Sequence, residues 1–116
     1  TVLLPVYNAK NTLADSIISI QNQTYQNWEL LILNEFGSDD GSLEIAKSFL
    51  RVDKRIRLIQ NSQKLGLART LNRGIIEAKG QLIAGIDADD ISYSTRFEKQ
   101  IKFFEEHPSV GICGTW

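Results

Sequence analysis

A single cysteine, Cys113, stands in a chain of 116 residues, so no internal disulfide can form and a disulfide-stapled secreted scaffold is excluded. With only one histidine, His107, the soft ligands for a structural zinc site are missing as well. No methionine occurs, and the chain opens directly on the strand-like Thr1-Val2-Leu3-Leu4, which leads us to expect a piece of a longer protein. No apolar run approaches the roughly 18 residues of a spanning helix, and no basic segment leads into an apolar one as in a signal peptide. Neither sign of charge dominates: 13 Lys and Arg against 14 Asp and Glu leave a net charge of -1. That near-balance argues against nucleic-acid binding by bulk electrostatics, which needs a basic surplus, and leaves open only a local basic patch. No repeat, low-complexity stretch or Pro/Gly/Ser linker interrupts the chain, and its length suits one core.

What is present is an alternation. Val2-Leu3-Leu4-Pro5-Val6 is a continuous apolar run, the mark of a strand buried on both faces. Asn11 is a candidate cap for a helix in which Leu13, Ile17 and Ile20 share one face. A second strand is expected over 28–33, a helix from Ser42 with Ile45 and Phe49 inward, and a third strand over 55–59. Leu67, Leu71, Ile75 and Ala78 recur at helical spacing, and a fourth strand over 81–86 runs into Asp87-Ala88-Asp89-Asp90. A helix from Ser94 carries Phe97, Ile101 and Phe104, and a fifth strand is expected over 110–113. This order predicts an α/β fold, a mainly parallel sheet with helices on both faces.

In such sheets ligands sit beyond the carboxyl ends of the strands. Three polar clusters fall there: Tyr7-Asn8, Asn34-Glu35 and Asp87 to Asp90. Three carboxylates within four residues repel one another, and a bound cation removes that cost. All-oxygen ligands suit Mg²⁺ or Mn²⁺, held by one or two carboxylates together with substrate phosphates. Against this stands the plainer reading, in which Asp90 caps a turn and Asp87 and Asp89 are merely solvated. Other residues favour plain roles: Gly37 and Gly41 as turn glycines, His107 as a helix C-terminal cap, Cys113 and Trp28 as core. No G-x-G-x-x-G follows the first strand and no G-K-[ST] occurs, so dinucleotide and P-loop readings are weak.

Leu3-Leu4-Pro5-Val6-Tyr7-Asn8, then Gln21-Asn22-Gln23-Thr24-Tyr25 before Trp28-Glu29, resembles the opening of the family 2 glycosyltransferases. Gly37-Ser38-Asp39-Asp40-Gly41-Ser42, Gly66-Leu67-Ala68 with Leu71-Asn72-Arg73-Gly74, and Ala78-Lys79-Gly80 are similar to that family too. So is Asp87-Ala88-Asp89-Asp90-Ile91-Ser92 followed by Arg96-Phe97-Glu98-Lys99-Gln100-Ile101. The five motifs cover essentially the whole chain in the family's order.

The resemblance implies a truncated GT-A fold, with residues 1–116 a single domain forming the N-terminal, donor-binding part. It implies transfer of a sugar from a nucleotide-sugar donor, most often a UDP-sugar, to a hydroxyl of a glycan or other acceptor, with inversion, as in polysaccharide biosynthesis. Asp87 and Asp89 match the family's D-x-D: Asp89 is expected to ligate Mn²⁺ or Mg²⁺ on the donor diphosphate, and Asp87 to lie near the ribose and share the metal. Pro5, Val6 and Tyr7 match the segment along the nucleotide base. The family usually has Asp-Asp-Gly-Ser at the second strand's end, its second Asp recognising uracil. Here Asn34-Glu35-Phe36-Gly37-Ser38 stands there. Counted from the strand, the register that Trp28-Glu29 fixes without a gap, Glu35 takes the place of that Asp and Phe36 is inserted; counted back from Gly37-Ser38, Phe36 takes it. Gly85 stands where a larger residue often precedes the D-x-D, and Ser94-Thr95 replace a frequent Pro-Asp.

The resemblance further implies that the catalytic base lies in a later acidic motif, expected beyond residue 116, so no catalytic residue is named here, and Asp90 reads as scaffolding. No nucleic-acid partner and no membrane span are expected, and a cytoplasmic location follows, at the cytoplasmic face of the membrane for the longer protein. A non-catalytic nucleotide- or metal-binding module of the same fold is the alternative. A receiver-like signalling domain would need a carboxylate after the first strand, and Val6-Tyr7-Asn8 has none.

Overall fold

A computed structural model describes residues 1–114. Four strands, β1 (Val2–Val6), β2 (Leu30–Asn34), β3 (Ile56–Gln60) and β4 (Ala84–Gly85), form one sheet in the order β3-β2-β1-β4, every pairing parallel. The intervening helices are α1 (Leu13–Gln21), α2 (Ser42–Val52) and α3 (Leu67–Glu77), and α4 (Arg96–Glu106) follows β4. No helix among the described residues is long and apolar enough to cross a membrane.

The unbroken apolar runs of β1 and β2 are explained by cover on both faces. Val2, Leu4 and Val6 alternate onto one face with Leu30 and Ile32, where Leu13, Ile17 and Ile20 of α1, Ala46 of α2 and Phe97 of α4 meet them. Leu3, Leu31 and Leu33 point to the other face, packed by Leu71 of α3. Helix α3 comes close to the sheet because Gly74 has no side chain. A Cβ there would stand 2.8 Å from Leu33 Cδ1 and 2.9 Å from Leu3 Cδ2.

Several elements differ from expectation. The fourth strand pairs only at Ala84 and Gly85, not over 81–86. Its register sets Val2 opposite Ala84, so Gln81 and Leu82 have no residue of β1 facing them. Residues 110–113 form no strand: Ile112 is 88% exposed and Cys113 is half-buried rather than core, since no described strand lies beside them to pair with. Helix α1 starts after Thr12 rather than Asn11, and α4 starts at Arg96 rather than Ser94. The turn glycines hold, Gly37 and Gly41 lying at φ +89° and +97°. His107 caps α4 as expected, its Nδ1 2.9 Å from the Phe103 carbonyl.

Candidate nucleotide and metal site

The carboxyl ends of β1, β2 and β4 open onto a cleft of about 240 Å³. Its walls include Pro5, Val6, Tyr7, Glu35 and Asp87, the five residues expected to contact the donor, joined by Leu33, Leu67, Thr70 and Ala88. Tyr7 and Phe36 are each about half exposed, yet of the two only Tyr7 lines the cleft. The ammonium of Lys64 sits 5.5 Å from the centre of the Tyr7 ring.

The β1 loop is held by the Gly37–Ser42 segment. Asn8, with φ at +48°, donates its backbone N–H to Ser38 Oγ at 3.0 Å and accepts the Asp39 N–H on its own side-chain oxygen at 2.9 Å. Ala9 N–H donates to Ser42 Oγ at 2.8 Å, and Lys10 N–H to Asp40 at 3.0 Å. Asp40 also accepts from the hydroxyl and backbone N–H of Ser42; the Ser42 hydroxyl first, then the Lys10 and Ser42 N–H groups, hold its pKa below the usual value against its desolvation. The motif's polar residues thus lace two loops together and set Tyr7 at the cleft.

Glu35 is buried, and its carboxylate faces a ring of donors: the N–H groups of Phe36 (2.8 Å), Leu65 (3.2 Å) and Gly66 (2.8 Å), and Asn61 Nδ2 (3.1 Å). Burial raises its pKa, but the Asn61, Phe36, Gly66 and Leu65 donors outweigh it and bring the value down to about 2.

At the end of β4, carboxylate oxygens of Asp87, Asp89 and Asp90 lie within 4.8 Å of one another, all exposed. Among the described residues none of the three carboxylates accepts a hydrogen bond or forms an ion pair, so all are free for a cation. Arg96, the nearby guanidinium, donates instead to the Gly85 carbonyl (2.9 Å) and Ser92 Oγ (3.1 Å). Burial lowers its pKa, partly offset by Asp90. An all-oxygen set of this kind fits a hard divalent ion, which takes one or two protein carboxylates and fills its remaining positions from elsewhere.

The residues that fix this acidic loop were not anticipated as site residues. Ser16 of α1 donates its hydroxyl to the Asp90 carbonyl at 2.6 Å, and Ser19 Oγ accepts the Ser92 N–H at 3.1 Å. Gln23 donates to the Tyr93 carbonyl (2.8 Å) and accepts the Phe97 N–H (3.0 Å). These side chains are 0%, 7% and 1% exposed. Polar residues interleaved with the apolar stripe Leu13-Ile17-Ile20 were the available signal, since a polar side chain facing a core needs a partner there.

The family model described as "Glycosyl transferase family 2" matches residues 1–116. The putative glycosyltransferase EpsE of Bacillus subtilis is 43% identical over 116 residues, a match that takes in 99% of this chain and 41% of that protein. Among solved structures, Staphylococcus aureus TarS in complex with UDP-GlcNAc matches 92% of this chain and 31% of its own at a TM-score of 0.84 and 20% identity. The mannosyltransferase PcManGT of Pyrobaculum calidifontis, in complex with GDP-Man and Mn²⁺, matches 89% of this chain and 31% of its own at a TM-score of 0.81 and 20% identity. The expected GT-A architecture is shared with these structures, the chain forming a portion of the fold. It spans about two fifths of the curated relative's length and under a third of the solved chains.

Proposed function

This chain belongs to glycosyl transferase family 2, and on that premise we propose that it is the donor-binding part of an inverting, metal-assisted transferase acting on a nucleotide sugar, with UDP-sugars the first class to test. Residues 1–116 would form one domain, holding the nucleotide in the cleft and the donor diphosphate beside the acidic loop. Pro5, Val6 and Tyr7 lie along the base, and Asp87 is the link between the two, since it lines the cleft and belongs to the carboxylate cluster.

Asp89, with Asp87, would hold Mn²⁺ or Mg²⁺. When bound, the ion neutralises charge gathering on the departing nucleoside diphosphate. In the reaction the bond from the sugar's anomeric carbon to the diphosphate oxygen breaks, and a bond to the acceptor oxygen forms on the opposite face. The acceptor's proton passes to a base that we propose lies beyond residue 116. The chain's own contribution is positional: the carboxylates are presented free, and α1 anchors the backbone that carries them.

The observation that carries the proposal is this unengaged carboxylate trio joined to a cleft at the strand ends. The solved complexes of TarS with UDP-GlcNAc and of PcManGT with GDP-Man and Mn²⁺ support a ligand of this class by likeness of fold. Thermal unfolding with UDP, with and without Mn²⁺, tests it. UDP with Mn²⁺ raises Tm, and Asp89→Ala removes the metal-dependent part of the rise. A folded protein whose Tm ignores both additives contradicts the proposal.

A further inference from the structure

We infer that Glu35 is a positioning residue, a strut that pins the loop after β3 and the start of α3 to the end of β2, and does not read the nucleotide base. The inference deepens the donor-site reading above and rests on it.

The argument is an accounting of lone pairs. A carboxylate offers about four acceptor directions. Oε1 takes the Phe36 N–H at 2.8 Å, Asn61 Nδ2 at 3.1 Å and a share of the Leu65 N–H at 3.2 Å. Oε2 takes the Gly66 N–H at 2.8 Å and the other share of Leu65 at 3.2 Å. No direction is left for a base, so an incoming ring N–H would have to displace a backbone amide and strand it.

Those donors in turn identify what the carboxylate does. Helix α3 has Gly66 at its N-cap, at φ +81° and without a side chain to satisfy the first turn. Glu35 supplies the missing anionic acceptor from a different strand, just ahead of the helix, where the helix dipole favours negative charge. Asn61 locks the arrangement from the other side: its Nδ2 also donates to Thr70 Oγ1 at 2.8 Å, and its Oδ1 accepts from Arg73 at 2.9 Å. Leu67 and Thr70, held in this way, form the α3 wall of the cleft. Glu35 therefore shapes the pocket for any nucleoside diphosphate and contributes no discrimination between bases.

Uracil and cytosine separate a strut from a reader, because uracil presents a donor at N3 and cytosine an acceptor. The full chain, wild type and Glu35→Gln, is titrated calorimetrically with UDP and with CDP in Mn²⁺, and amide exchange is followed at Leu65 and Gly66. A strut predicts that Glu35→Gln weakens both nucleotides by the same factor, about tenfold or more, leaving the UDP-to-CDP ratio within about twofold, while the two amides exchange faster. A reader predicts that the wild type prefers UDP and that the substitution collapses the ratio, which overturns the inference. Glu35→Asp is the second variant. It keeps the charge but falls short of Gly66, so a strut again predicts faster exchange and an unchanged ratio, whereas a reader predicts a ratio that moves with its reach. Binding of neither nucleotide by folded wild-type protein would count against the donor-site reading. In that case exchange alone decides Glu35: amides no faster in the variants refute the strut.

Discussion

Replacing Gln23 by Leu is the sharpest probe of how α1 supports the acidic loop. Gln23 lies two residues past α1 and is 1% exposed. Its amide donates to the Ser19 carbonyl of α1 at 3.2 Å and to the Tyr93 carbonyl, and its oxygen accepts the Phe97 N–H, which ties α1 to the segment between β4 and α4. Leucine keeps most of the volume, so packing changes little and the loss falls on hydrogen bonds. The Tyr93 carbonyl sits in an exposed residue where water can replace the amide. The Phe97 N–H cannot be rescued so easily: Phe97 is 5% exposed and α4 has no side-chain cap of its own, Thr95 making none. An orphaned buried donor costs about 1–3 kcal/mol, and the lost amide bonds to the Tyr93 and Ser19 carbonyls together add about 1 kcal/mol. A total near 3 kcal/mol corresponds to a fall in Tm of about 10 °C for a chain of this length. Thermal unfolding followed by circular dichroism reads it, with Asn27→Ala, at an exposed position, as the control. In the same samples the apparent affinity for Mn²⁺ in the presence of UDP should weaken in Gln23→Leu, because the loop carrying Asp89 loses its anchor. A Tm within about 2 °C of wild type would refute the reasoning.

Two further outcomes follow from the packing and the titrating groups. Gly74→Ala gains helix propensity of about 1 kcal/mol but drives a methyl into Leu3 and Leu33, an overpacking worth about 1–3 kcal/mol; a net loss of about 1 kcal/mol in urea unfolding is expected. Acid stability depends on Glu35 and on Asp53, whose pKa the Arg55 side chain brings down to about 2 against its own burial. Both native values are depressed, so the unfolded chain binds protons first as pH falls. Their contribution is whole above the ordinary carboxylate range and drains away between about pH 4.5 and pH 2. The urea midpoint should therefore fall steeply over that interval, and in Glu35→Gln the slope should be shallower.

The buried strands were legible because apolar runs of five residues have few other places to go. Val2–Val6 appears where expected, and β2 lies one to two residues later than expected, with Leu30 opposite Val2. The cleft was legible for the same reason: parallel strands deliver their carboxyl ends to one edge, so Tyr7, Glu35 and Asp87 had to converge. Residues 110–113 misled because an apolar tetrapeptide becomes a strand only when another strand lies beside it. Cys113 followed the same error. The anchoring roles of Ser16 and Ser19 on α1, and of Gln23 just past it, were signalled only by their place beside the apolar stripe, and which group each one bonds is set by the fold rather than by spacing. Glu35 was found as a cleft residue, but its donors come from a loop some thirty positions away, and no spacing rule announces them.

The most direct measurement is anomalous diffraction from a crystal of the full chain grown with Mn²⁺ and UDP. The account predicts a manganese peak shared between the carboxylates of Asp89 and Asp87 and the nucleotide's diphosphate oxygens, with the base against Pro5 to Tyr7. Nucleotide bound with no metal at those carboxylates, or metal bound there with the cleft empty, would contradict it.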